Sequence, residues 1–266
     1  MTLTSLILNA AVLSSFSLCA VAREVNYSLW PRRPAELEQA RNLVREQKLD
    51  EAVELLRPFV SESGIAGREA RQISGSINVR RYLSRRHPGA TMHEVRRGEN
   101  LARIAASVKC PVDVIMLLNG LVVPSDLKAG QQLVVVPMNL RVELRPLQRE
   151  ITVWDGKEFV VAYNISSVEH LSLDENVETS VQHRDGYVNG AQVSRRSTQF
   201  LISDRALVLA NGVHIVSSQR GGGAAVLMDA RDLNELTLLM GVGGRVSIVC
   251  CEDAFSSDSP EETPEK

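Results

Sequence analysis

The stretch from Met92 to Pro137 changes its hydrophobic period twice, and this constrains the fold more than any other part of the chain. His93-Glu94-Val95 alternates as a short strand does. Gly98-Glu99-Asn100 then turns into a run with apolar residues at Leu101, Ile104, Ala105 and Val108, spaced i, i+3, i+4 and i+7 as on one helix face. Pro111 opens a second helix with Val112, Ile115 and Leu118 inward, and Asn119-Gly120 closes it, since glycine after a helix adopts the left-handed turn at little cost. Ala129-Gly130 is a turn, and Gln132 to Val136 forms a closing strand. The order is strand, helix, helix, strand.

The whole chain has 266 residues, enough for two domains or three small ones. With 44% hydrophobic and 23% charged residues it is not a fully disordered, collagen-like or low-complexity polypeptide. A net charge of −2 argues against whole-protein attraction to nucleic acid, and 4% aromatic content leaves no broad platform for stacking bases. Residues 2–22 carry no charge, and Ala20-Val21-Ala22 is a small-x-small site followed by Arg23 and Glu24. A secretory signal peptide over 1–22 is therefore expected, although its start lacks Lys and Arg. An uncleaved anchor, which would be the only membrane contact, and a misassigned start are the alternatives. Lipid attachment at Cys19 is disfavoured, because Leu18 occupies a position where a small residue belongs. Removing the leader leaves Cys110, Cys250 and Cys251, so a disulfide from Cys110 to one of the others is open, with one thiol over. The five histidines (87, 93, 170, 183, 214) are scattered, and no Cys/His spacing suggests a metal; no cofactor is expected either. Residues 252–266, acidic and rich in Pro and Ser, have the composition of a disordered tail.

Residues 23–89 read as helical. Ala40, Leu43 and Val44, then Ala52, Val53, Leu55 and Leu56, recur at helical spacing on either side of Gln47–Asp50, which predicts two helices joined by a short turn. A third helix, from about Arg68 to Leu83, would cover their apolar face. The run from Ala40 to Leu56 resembles one tetratricopeptide repeat, which would serve as a helical spacer or as a peptide-binding groove. Arg80, Arg81, Arg85, Arg86, Arg96 and Arg97 follow; they form a solvated face or a contact for an anionic envelope polymer.

Residues 139–251 are β-rich. Strands are expected at Val142–Leu144, Ile151–Trp154, Val160–Asn164, Gln199–Ile202, Leu207–Leu209, Val213–Val216 and Arg245–Val249, with a tight hairpin at Asp155-Gly156. A helix over Ala230 to Met240 precedes the last strand.

The run from Glu94 to Pro137 resembles a LysM domain over its whole length. Val95, Gly98, Glu99, Leu101, Ile104 and Ala105 match the family's opening, Leu118-Asn119-Gly120 its centre, and Gly130, Gln131, Leu133, Val136 and Pro137 its close. Asn100 replaces the usual Ser or Thr, Cys110 a frequent Gly, and Ala129 a Pro. The resemblance implies a domain at 90–138 with a shallow groove for N-acetylglucosamine polymers, peptidoglycan or chitin. Gly98, Glu99, Asn100 and Leu101 would line one side; Asn119, Gly120, Leu121 and Val122 the other. Acetamido groups need main-chain partners, and their methyls need a small apolar floor. Leu101 equally suits the core, and Gly98 and Gly120 equally suit backbone angles that other residues avoid.

The β-rich segment resembles the L,D-transpeptidase catalytic domain at its two ends. Gln148, Ile151, Val153, Trp154, Asp155 and Gly156 fit the opening hairpin; Asp232, Glu235, Leu236, Leu239, Gly243, Val246 and Ile248 fit the close. The centre departs from it. Active members carry a cysteine nucleophile, a histidine base and an arginine; here the corresponding positions are Ala225, Val216 and Leu227, with His214 reaching the histidine position if one gap is allowed. Acyl transfer to a thiol needs that thiol beside a base. Three other features are weaker. His214 with Ser217 or Ser218 is a poor hydrolytic pair, because adjacent strand residues face opposite ways. Gly221-Gly222-Gly223 lacks the lysine of a phosphate loop. Asp229, Asp232 and Glu235 suit a helix N-terminus better than catalysis.

The expected fold class is multidomain α+β: a tetratricopeptide-like helical hairpin, a βααβ LysM domain and a mostly-β, L,D-transpeptidase-like domain. The expected function is an exported periplasmic or cell-envelope protein that binds peptidoglycan through its LysM domain and carries a catalytically inactive partner domain as scaffold or wall-peptide binder. A divergent active L,D-transpeptidase or other cell-wall enzyme is the alternative. A further envelope protein recruited by the helical region is a third possibility.

Overall fold

A computed structural model describes residues 34–189, 191–193, 203–218 and 223–250. The expected leader and tail, the expected strand at Gln199–Ile202, Cys19, Cys251 and Gly221-Gly222 lie outside the described residues. Two compact units divide the chain, Met1–Ala35 and Glu36–Lys266, and every element after the first residue of α1 belongs to the second.

The helical region contains α1 (Ala35–Arg45), α2 (Leu49–Leu56), a 3₁₀ turn (Arg57–Ser61) and α3 (Gly64–Tyr82). Helix α3 begins four residues before the expected start. Its first turn folds back under the Glu62 carbonyl, which a Cβ on Gly67 would meet at 1.9 Å. The apolar face of the hairpin is covered by α3, as expected, but also by the β-rich region. Leu37, Ala40, Ala52, Leu56, Ala70 and Ile77 share one core cluster with Trp154 and Phe159.

The join is close and polar as well. A Cβ on Gly75 would lie 3.2 Å from the Val161 Cα, so a larger residue there would push α3 and the sheet slightly apart. Arg71 and Glu150 form an ion pair with N–O distances of 2.7 and 2.9 Å, their side chains 5% and 2% exposed. Arg71 also donates to the Val60 and Glu62 carbonyls at 3.0 and 2.8 Å.

The next block contains β1 (Thr91–Glu94), α4 (Leu101–Val108), α5 (Val112–Asn119), a 3₁₀ turn (Pro124–Asp126) and β2 (Gln132–Val135). Strands β1 and β2 pair antiparallel, Thr91 opposite Val135 and Glu94 opposite Gln132. Leu101, Ile104, Ala105, Val114, Ile115 and Leu118 are buried beneath them.

The rest is a β-barrel. Its strands are β3 (Leu140–Arg145), β4 (Glu150–Asp155), β5 (Glu158–Glu169), β6 (Val177–Val188), β7 (Ala191–Val193), β8 (Asp204–Leu209), β9 (His214–Val216), β10 (Ala225–Met228) and β11 (Arg245–Ile248), with α6 (Ala230–Leu239) between the last two. Among the described residues the strand order is β11-β3-β4-β5-β10-β9-β8-β6-β7, and a β11–β6 pairing closes the ring with β7 outside it. Closure removes the unpaired edges that an open sheet would expose. Strands β11 and β3 are parallel, as are β9 and β10; the remaining pairs are antiparallel. One core cluster runs from Val95, Leu101 and Ile115 through Leu144, Val153 and Ile215 to Val226 and Leu236, so the strand–helix–helix–strand block and the barrel share a buried interior.

Strands β6, β7 and β10 are absent from the sequence expectations. The sequence of β6, VETSVQHRDGYV, has only two of its twelve residues buried. It is held by ladders to β8, β11 and β7 rather than by an apolar face.

Candidate functional site

The two loops expected to hold a glycan are organised by their own side chains. Gly98 has φ +83° and no atom within 4 Å of an added Cβ, so its backbone angle, not crowding, calls for glycine. The Glu99 carboxylate accepts from the Arg96 N–H at 2.8 Å and lies 3.1 Å from His93 Nε2. The Arg96 hydrogen bond and the adjacent imidazole hold the Glu99 carboxyl below its ordinary value of 4.5. Asn100 caps α4 by accepting from the Arg103 N–H at 2.9 Å. Leu101 is 2% exposed and belongs to the core.

On the other side Asn119 is wholly engaged. Its Nδ2 donates to the Ile115 and Val134 carbonyls, and its Oδ1 accepts from the Val134 N–H, all at 2.8 Å. The side chain thus acts as an additional strand neighbour for β2. Gly120 ends α5 at φ +64°. Leu121 is half-buried against the core, and Val122 is 54% exposed. The Val122 and Val123 N–H groups both donate to Asp126 Oδ2, at 3.2 and 3.0 Å. Sequence reasoning did not single out Asp126; an acid three residues after an extended Val-Pro start was the available sign. What these loops leave outward is main chain at Gly98 and Gly120 and the methyls of Val122. Beside the first loop a cleft of about 620 Å³ runs along β1, lined by Met92, Glu94, Arg96, Arg97, Ala129 and Gly130 among others.

Val216, Ala225 and Leu227, the three positions singled out in the centre of the β-rich segment, come together in the barrel wall. The parallel register of β9 and β10 puts His214 opposite Ala225 and Val216 opposite Leu227. Val216, Ala225 and Ala206 form a small buried cluster with Tyr187 and Leu227 packed on it, separate from the barrel interior that holds Ile215 and Val226. No hydrogen bond joins His214 to Ser217 or Ser218 among the described residues. Cys250 follows β11, which stands four strands from β10 in either direction round the ring. Its backbone N–H donates to Asn176 Oδ1 at 2.7 Å, and the residue is 5% exposed. Cys110 is a buried free thiol, pushed up to about 11 by burial.

The acidic face of α6 is structural. Asp229 caps the helix by accepting from the Arg231 and Asp232 N–H groups. Glu235 accepts from the Tyr163 hydroxyl at 2.9 Å. Burial raises Asp232, with Asp229 adding to the effect. A second groove, about 650 Å³, lies between α4–α5 and the α6–β11 turn, lined by Cys110, Asp113, Met138, Arg184, Met240 and Val242 among others. Arg184 bridges it, paired with Asp113 and donating to the Thr237 carbonyl at 2.8 Å. Among the described residues no three His, Cys, Asp or Glu are grouped to hold a metal ion. Nor is any described helix long and apolar enough to cross a membrane.

No curated protein sequence matches the chain. Among solved structures it is similar to the Mycobacterium tuberculosis L,D-transpeptidase 1, at 10% identity and TM-score 0.31, over 46% of this chain and 67% of that one. It is similar to an Enterococcus faecium L,D-transpeptidase mutant at 12% identity and TM-score 0.28, over 41% and 49%. It is also similar to a Xylanimonas cellulosilytica L,D-transpeptidase at 14% identity and TM-score 0.29, over 42% and 63%. The chain thus spans between about half and two thirds of the length of these three proteins. The family model of the LysM domain matches residues 93–136, the block formed by β1, α4, α5 and β2.

Proposed function

We propose that this chain is an exported cell-envelope protein that binds peptidoglycan, or a related N-acetylglucosamine polymer, through residues 93–136. The LysM match carries the reading. It is supported by loops whose side chains are turned to their own backbone. Glu99, Asn100, Asn119 and Asp126 brace the two turns, and exposed main chain at Gly98 and Gly120 with the Val122 methyls is left for a neutral sugar. Such a surface offers hydrogen bonds to acetamido groups and a small apolar floor, and it selects against charged ligands only weakly. The helical hairpin acts as a tetratricopeptide-like spacer, with a further envelope protein as its partner.

The barrel, in this reading, is an L,D-transpeptidase-like module without acyl-transfer activity, kept as scaffold or wall-peptide binder. The apolar cluster of Val216, Ala225 and Leu227 supports this, since it has no thiol to attack a carbonyl, and His214, opposite Ala225, has no nucleophile there to activate. Retention of the full chain on purified peptidoglycan tests the first part; no retention at micromolar protein ends it. Muropeptide analysis tests the second. New 3–3 cross-links that vanish on replacing Cys250 and Cys251 would establish a divergent enzyme instead.

A further inference from the structure

Five arginines between residues 80 and 97 are crowded into eighteen residues with no ion pair of their own. Arg41, Arg57, Arg71, Arg81, Arg141, Arg145 and Arg184 all pair with a carboxylate. Arg80, Arg85, Arg86, Arg96 and Arg97 are exposed, and none of their guanidinium groups forms a hydrogen bond or an ion pair among the described residues, although the Arg96 charge is felt by Glu99. From Arg80 to Lys109 the sequence carries eight Lys or Arg and two acids, Glu94 and Glu99, in a chain whose net charge is −2. Both acids are already engaged, Glu94 with Gln132 and Glu99 with Arg96 and His93.

The fold places these charges on either side of a short strand. Arg85 and Arg86 lie in the turn that leads into β1, and Arg96 and Arg97 lie just beyond its end. The strand between them, Thr91–Glu94, is about 13 Å long, more than one screening length of about 8 Å in physiological salt, so the two pairs act as separate points of charge. Arg96 and Arg97, which immediately precede the Gly98–Leu101 loop, line the cleft beside β1. Among residues 60–153 the only Phe, Trp or Tyr is Tyr82, which is half-buried with its ring against His87 at 4.7 Å and its hydroxyl near Asp155 at 3.2 Å, so the surface offers no row of aromatic rings for successive bases.

We infer that this surface binds an anionic sugar polymer, one bearing phosphate or carboxylate groups at intervals, alongside the amino-sugar strand held by the neighbouring loops. The occupant rests on the peptidoglycan reading above; the charge argument does not. Unpaired guanidinium groups cost little to desolvate against an anion and bind phosphate or carboxylate through paired N–H donors. Only a ligand with repeated charge engages both ends of β1 at once.

The full chain and its Arg85→Gln/Arg86→Gln/Arg96→Gln/Arg97→Gln variant are titrated with four probes: polyphosphate, a polyuronate, neutral chitohexaose and single-stranded DNA of matched charge. The variant should keep the parent's thermal midpoint, because no side-chain hydrogen bond or ion pair is removed and the Arg96–Glu99 attraction is solvent-exposed. The parent should bind polyphosphate or polyuronate at least tenfold more tightly at 50 than at 200 mM salt, as release of condensed counterions requires. The variant should lose at least tenfold on that probe and leave chitohexaose unchanged; which of the two polyanions is preferred separates phosphate from carboxylate. The inference is overturned if the parent binds neither polyanion at 50 mM salt, or if the variant stays within twofold of it. It is also overturned if DNA binds more tightly than both. Absence of chitohexaose binding with the polyanion result intact defeats the glycan reading and leaves the charged surface standing.

Discussion

Asn119→Ala tests whether the LysM-like block depends on one side chain bridging a helix and a strand. The substitution removes three hydrogen bonds of 2.8 Å, two to Val134 and one to Ile115. A typical bond contributes about 1 kcal/mol net, and a backbone group left dry costs about 1–3 kcal/mol. Asn119 is half-buried, so water can reach part of the site, and the expected loss is about 2–3 kcal/mol. With a denaturant slope of roughly 2–3 kcal/mol per molar, that moves the urea midpoint down by about 1 M. Hydrogen exchange at the Val134 amide should accelerate at the same time, because its acceptor is gone. Asn119→Asp should cost at least as much at neutral pH, since a carboxylate oxygen would face two carbonyls in place of an N–H₂ donor. Below the unfolding transition Asn119→Ala should still bind chitohexaose, because its side chain points at β2. A loss below about 0.5 kcal/mol with Val134 still protected would refute the bridging role.

Three further outcomes follow from the same geometry. Glu150→Gln should destabilise the protein by about 3–5 kcal/mol in thermal unfolding, because it leaves the Arg71 charge buried without its partner; replacing both by apolar residues of similar volume (Arg71→Met/Glu150→Leu) should recover most of the loss. Glu99→Gln should flatten the acid side of the stability curve. The carboxyl titrates below 4.5 when folded, so its contribution is present above that value and is lost as pH falls through the lower folded value, which chemical unfolding between pH 3 and 6 reads directly. In a Cys250→Ser/Cys251→Ser background, Cys110 should resist iodoacetamide at pH 8 until the protein unfolds, since a thiol at about 11 and 3% exposure presents almost no accessible thiolate; rapid alkylation of the native protein would contradict that burial.

The sequence determined those elements whose stabilising contacts are local. Leu101, Ile104 and Ala105 lie one turn apart, Gly98 and Gly120 mark their own left-handed angles, and Asp155-Gly156 makes its own hairpin, so these were legible from spacing alone. The α4–α5 pair and strands β3, β4 and β5 therefore stand close to where periodicity put them, with β5 ending five residues beyond the expected end. The loop residues were legible as a set, but not their roles. Asn119, Glu99 and Asn100 serve the backbone around them, and the partner that decides this for Asn119, Val134, is fifteen residues away.

Tertiary structure alone decided the rest. Strand β6 has no apolar face to announce it and exists because β8 and β11 supply its hydrogen bonds. Trp154 and Phe159 look like barrel residues and instead close the core of the helical hairpin. Whether Val216, Ala225 and Leu227 meet, and that Cys250 stands across the ring from them, depends on which strands neighbour one another. Pairing between distant segments leaves no period in a chain, because the free energy that selects it is realised only when the ring closes and both partners are present.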